Sequence, residues 1–95
     1  MMVVVMYDIS TKDAAGRSRL RRMEKLCSDH GVPVQKSVFE VETDAGGFDS
    51  FCKMVERIIC GSDNVRYYLL GNHYKNRIVN AGKKLIKWDR ENYII

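Results

Sequence analysis

Met2-Val3-Val4-Val5-Met6-Tyr7-Asp8 is the stretch that decides how this chain is read. Apolar and β-branched residues run without interruption up to a single carboxylate, the pattern of a strand buried on both faces. The expected place for such a strand is the centre of a sheet. Behind it, Ile9-Ser10-Thr11-Lys12-Asp13 turns polar, and Ser10, Thr11 or Asp13 could each cap a helix by accepting a free backbone N–H.

From Asp13 to His30 the apolar residues Leu20, Met23, Leu26 and Cys27 recur at three- and four-residue spacing, which predicts an amphipathic helix stopped by Gly31 and Pro33. Its polar face carries Arg17, Arg21 and Lys25. Between Pro33 and Thr43 the chain reads as extended, but Val34 and Val38 share one phase while Phe39 and Val41 share the other. A strict two-residue period cannot change phase without a break, so one bent strand or two short ones are expected, with the irregularity near Val38-Phe39. Asp44-Ala45-Gly46-Gly47 reads as a turn and a possible cap, and Phe48, Phe51, Cys52, Val55, Ile58 and Ile59 mark a second amphipathic helix ending near Cys60-Gly61. Asn64 to Leu70 reads as a strand closed by Gly71-Asn72, Ile78-Val79 as a short strand, and Tyr93-Ile94-Ile95 as an apolar end that could pair with another chain or dock on its own sheet. The order of elements predicts an α+β chain with a ferredoxin-like βαββαβ plan and helices on one face, in a single domain over residues 1–95.

The composition is globular, with 45% hydrophobic and 29% charged residues and one proline in 95 positions. Sixteen basic against 12 acidic side chains give a formal charge of +4, which favours polyanionic partners. Cys27, Cys52 and Cys60 form an odd set with no C-x-x-C pair, arguing against a disulfide framework and against a zinc site. No apolar run approaches the ~18 residues of a membrane span, and the apolar opening is too short for a secretory core. No membrane partner and a reducing, cytoplasmic setting are therefore expected.

Asp8 ends an apolar strand at its carboxyl end, where open sheets flanked by helices commonly place ligands. A carboxylate there suits a hard divalent cation such as Mg²⁺; the plainer reading is a turn cap. No second carboxylate accompanies it locally, although metal-assisted phosphodiester cleavage usually gathers several. A symmetric dimer could supply the partner, two copies of Asp8 then forming one site. Arg17, Arg19, Arg21, Arg22 and Lys25 concentrate positive charge just beyond it, and Lys36 with Arg66 could extend the patch; such side chains hold phosphates without reading sequence. Tyr7, Phe39, Tyr67 and Tyr68 could stack on bases, though strand aromatics more often pack a core. His30 and His73 have no acidic or thiol neighbours at ligand spacing, Ser10 and Ser37 have no paired base, and Gly46-Gly47 lacks the Lys-Ser/Thr of a phosphate loop.

With these pieces assembled, the sequence resembles the CRISPR-associated protein 2 family across nearly its whole length. The resemblance is carried by Val3-Val4-Val5-Met6-Tyr7-Asp8-Ile9-Ser10, Arg17-Ser18-Arg19-Leu20-Arg21, Val34-Gln35-Lys36-Ser37-Val38-Phe39-Glu40 and Val65-Arg66-Tyr67-Tyr68-Leu69-Leu70-Gly71. It implies a ferredoxin-like homodimer whose final strand, within about residues 78–95, crosses to the partner's sheet. It also implies a catalytic, metal-binding aspartate at Asp8, with Mg²⁺ or Mn²⁺ as cofactor. Nucleic-acid contacts then fall on Tyr7, Ser10, Arg17, Arg19, Arg21, Ser37 and Phe39. Two roles follow from the family: an endonuclease on double-stranded DNA or single-stranded RNA, and a non-catalytic bridge that holds duplex DNA for the integrase partner, CRISPR-associated protein 1, during spacer acquisition. A ferredoxin-like domain binding a small regulatory ligand is the third reading, and no pocket signature supports it.

Overall fold

The computed structural model describes residues 1–83. Its elements run β1 (Met2–Asp8), α1 (Ala14–His30), β2 (Val32–Gln35), β3 (Val38–Glu42), α2 (Ala45–Ile58) and β4 (Asn64–Gly71), followed by a 3₁₀ turn at Tyr74–Asn76. The four strands form one antiparallel sheet in the order β2-β3-β1-β4, so the apolar opening strand is central, as its composition predicts. This is the ferredoxin-like arrangement. The exchanging segment expected near residues 78–95 reaches beyond the described residues.

The break expected near Val38-Phe39 is a hairpin turn that falls earlier, so Val38 and Phe39 both lie inside β3. β2 and β3 are separate strands joined by a turn at Lys36 and Ser37, with a register irregularity between Pro33 and Gln35. Gly46 and Gly47 lie inside α2, because the Asp44 carboxylate accepts from the Gly47 N–H at 2.7 Å and starts the helix one residue later. Asp13 does the same for α1 through Gly16 N–H at 2.8 Å, which selects it among the three candidate caps. Ile78-Val79 is not a strand; Ile78 instead packs beside Met2 and Tyr74, and Val79 is exposed.

Both helices lie against one sheet face, and the core sits between them. Val3, Val5, Tyr7, Phe39 and Val41 from the sheet meet Met23, Cys27, Phe51 and Val55 from the helices. Alternation along β1 turns Met2, Val4, Met6 and Asp8 to the opposite face. That face is not covered throughout. Met2 is sealed by Tyr74, whereas Met6 is 40% exposed and Tyr68 on β4 45% exposed, so the strand expected to be buried on both faces is so only at its first end.

One ionic tie joins the two loops at the other end. The Asp63 carboxylate, with no exposed side-chain surface, takes the Arg19 Nε at 2.7 Å and the backbone N–H groups of Ser10 and Cys60 at 3.0 Å each. The Arg19 guanidinium, opposed by burial but helped by the two amides, holds the Asp63 carboxyl well below the usual carboxylate range.

Two outcomes follow from this packing. Met23 is fully buried, and Met23→Ala is expected to cost about 2–5 kcal/mol in urea unfolding. Asp63 has a folded-state value depressed below its unfolded one of about 3.9, so its stabilisation is complete above that pH and is lost as the pH falls through the folded value. The gap in urea midpoint between wild type and Asp63→Asn should stay constant from neutral pH down to about 4 and narrow below it.

Candidate functional site

Asp8 is the last residue of the central strand, and the register decides what surrounds it. On one side β4 begins, with Asn64 directly opposite Asp8, Arg66 opposite Met6 and Tyr68 opposite Val4. On the other, Val38 lies opposite Met6, which sets the Lys36-Ser37 turn beside the strand's end. The Tyr7 N–H donates to the Ser37 carbonyl at 3.1 Å and the Tyr7 hydroxyl to the Lys36 carbonyl at 3.3 Å. Three segments far apart in sequence thus converge on one carboxylate.

The period of two places Asp8, Met6, Asn64, Arg66 and Tyr68 on the helix-free face. With Tyr7 they line an open depression of about 280 Å³. Asp8 is exposed, and among the described residues none donates a hydrogen bond or ion pair to its carboxylate. Arg66 extends one guanidinium nitrogen to the Tyr68 hydroxyl at 3.3 Å. A carboxylate without a partner among the described residues, beside an exposed guanidinium and an apolar floor, is a poor turn cap. The capping work near it belongs to Asp13 and Asp63.

Expected contact residues divide by position. Arg17 and Arg21 are exposed on α1 with Arg22, and among the described residues no acid pairs with them; Lys25 is paired with Asp29 at 3.2 Å. Arg19 is held by Asp63 in a two-point contact, its Nη2 reaching Oδ1 at 3.3 Å in addition to the Nε bond. Ser10 is half-buried and contributes its N–H to the same carboxylate. Ser37 is half-buried in the hairpin turn. Tyr7 and Phe39 are buried and stack with ring centroids 6.2 Å apart, turned to the helices and away from the Asp8 face. Burial, reinforced by the charges of Cys27 and Glu24, raises the Tyr7 phenol far above its ordinary value, which keeps it protonated. Tyr67 packs edge-on against Phe48 and Phe51.

Asn64 and Asp63 were not singled out by the sequence. Asn64 reads only as the start of a strand, and the pairing of residues 56 positions apart brings it to Asp8. Oxygen donors are the right chemistry for a hard cation, and Asp8 with the Asn64 side chain supplies them. Among the described residues no group of three or more His, Cys, Asp or Glu side chains could hold a metal. The cysteines add nothing to such a site: burial pushes the Cys27 thiol up to about 12, and none of the three forms a disulfide.

Comparison with known proteins agrees with this architecture. The family described as CRISPR associated protein Cas2 matches residues 1–78. A CRISPR-associated endoribonuclease Cas2 of Rhodospirillum rubrum is 42% identical over 84 residues, 87% of this chain and 88% of the relative. A CRISPR-associated endonuclease Cas2 of Halalkalibacterium halodurans is 36% identical over 85 residues, 88% of each chain. The crystal structure of Streptococcus pyogenes Cas2 at pH 6.5 superimposes with a TM-score of 0.73 at 42% identity, covering 86% of this chain and all of that one. A central strand ending in an unpartnered aspartate, a matched fold and matched sequence over most of the length lead to one conclusion: the chain belongs to the Cas2 family of CRISPR-associated proteins.

Proposed function

We propose that this protein is a divalent-metal-dependent endonuclease that acts on nucleic acid as a homodimer within CRISPR adaptation. The observation that carries the reading is the Asp8 carboxylate, unpaired among the described residues and exposed on the open sheet face. Relatives named endoribonuclease and endonuclease support a nuclease. The half-exposed Met6 and Tyr68 support burial of that face against a second copy, which would bring a second Asp8 to the site.

Within the site Asp8, with Asn64 beside it, would hold the cation, and a bound Mg²⁺ or Mn²⁺ would lower the pKa of a water and polarise the phosphoryl oxygens. The residues of the chain do the remainder. Arg66 stands on the same face to meet phosphate charge, and Met6 and Tyr68 exclude water once a partner copy covers them. Arg17 and Arg21 anchor the nucleic-acid backbone at a distance. Because these contacts address phosphates, affinity is expected to depend steeply on salt and weakly on sequence.

Exposed, acid-free arginines on α1 also support the second reading, an architectural dimer that clamps duplex DNA for the Cas1 integrase while the integrase performs the chemistry. The Asp8→Ala variant separates the two. As a nuclease, the variant is expected to lose about 10²-fold or more of the Mg²⁺-dependent cleavage of labelled duplex DNA and single-stranded RNA, with unchanged melting temperature and duplex affinity. Chelation of the metal should have the same effect on wild type. Cleavage by the variant at the wild-type rate would leave the adaptor. Duplex binding measured between low and high salt should show the log–log slope reduced by about 1 for each of Arg17→Gln and Arg21→Gln.

A further inference from the structure

We infer that Asp63 is a positioning residue for the Asp8 site and that Arg19 acts through it, not on nucleic-acid phosphate. The inference rests on the reading of Asp8 given above and deepens it. Arg19 stands in a basic run whose exposed arginines, Arg17, Arg21 and Arg22, have no acidic partner among the described residues and whose Lys25 pairs with Asp29 at the surface, yet Arg19 alone turns inward: its side chain is 17% exposed and the Asp63 side chain not at all. Its Nε–Nη2 edge, one of the guanidinium edges that can grip a phosphate in two-point fashion, is spent on Asp63.

What Asp63 holds explains why that arrangement serves the site. Its two oxygens receive four donors: Ser10 N–H and Arg19 Nη2 on one, Arg19 Nε and Cys60 N–H on the other. Asp63 immediately precedes Asn64, the residue opposite Asp8, and Ser10 lies two positions beyond Asp8. The carboxylate therefore pins the chain on both sides of the terminal pair of the β1–β4 ladder, where strands otherwise fray. A second restraint meets it from α1. The Ser10 carbonyl packs so closely over Gly16 that a Cβ there would collide with it, and the intervening Ile9 is buried. Asp8 projects from a backbone clamped at Tyr7, Ile9 and Ser10, so the exposed carboxylate has a fixed origin.

Hydrogen exchange at the Ser10 amide, salt dependence of duplex binding and steady-state cleavage test this together on the full chain. Asp63→Asn and Arg19→Gln are each expected to speed Ser10 N–H exchange about tenfold or more relative to amides in the core of β1. Each should lower kcat of Asp8-dependent cleavage about tenfold or more with KM within about twofold, since a displaced group loses rate before it loses binding. Arg19→Gln should leave the salt slope at the wild-type value, Arg19→Lys should recover part of both exchange protection and kcat, and the double variant should be no worse than the worse single one. A slope reduced by about 1 in Arg19→Gln, with Ser10 exchange at the wild-type rate, would overturn the inference and return Arg19 to phosphate contact. If wild type does not cleave, the nuclease reading falls by itself. Exchange and salt slope then decide the positioning role: protected Ser10 in both variants sinks it, and loss of protection with an unchanged slope sustains it.

Discussion

Everything in this molecule depends on β1 being hydrogen-bonded on both edges while packed by helices on only one face. Val3, Val5 and Tyr7 bury their side chains under α1 and α2 and thereby fix the parity of the strand, since one slipped residue would send Asp8 into the core. Parity leaves Met2, Val4, Met6 and Asp8 on the far side. Tyr74 closes that side near Met2, and the depression bounded by Asp8, Arg66 and Tyr68 remains at the other end. The location of the candidate site is thus a by-product of how the core is packed.

The backbone plan was legible wherever the information was local. An uninterrupted apolar run gave β1, three- and four-residue spacing gave both helices, and the reversal of phase gave the existence of the break between β2 and β3, which falls at Lys36-Ser37 and not at Val38-Phe39. The details that failed are those in which one local signal outweighed another. Gly46-Gly47 reads as a turn until Asp44 caps the first amides of α2, and Ile78-Val79 reads as β until Ile78 is drawn to the second apolar cluster with Tyr74.

At the site, legibility followed sequence distance. Asp8 and the exposed arginines announce themselves by contrast with their neighbours. Asp63 does not, because an acid in a short loop after a helix is what any turn contains; its meaning comes from Arg19, 44 residues earlier, and from Ser10, 53 residues earlier. The aromatic residues show the converse. Tyr7 and Phe39 are sited by their strand parity among helix residues, so chemistry suited to base stacking is spent on packing. Spacing tells which side chains share a face, whereas the topology tells which face the helices cover.

The pairing of Asp8 with Asn64 also sets an order in time. The strand that completes the surroundings of the carboxylate follows β1 and both helices in the sequence, so it is synthesised after them. Contacts of such long sequence separation form late and slowly. Until β4 arrives, β1 has one open edge, a condition in which chains are prone to wrong pairing. The candidate site, which includes Asn64, is incomplete in any translation product that ends before residue 64.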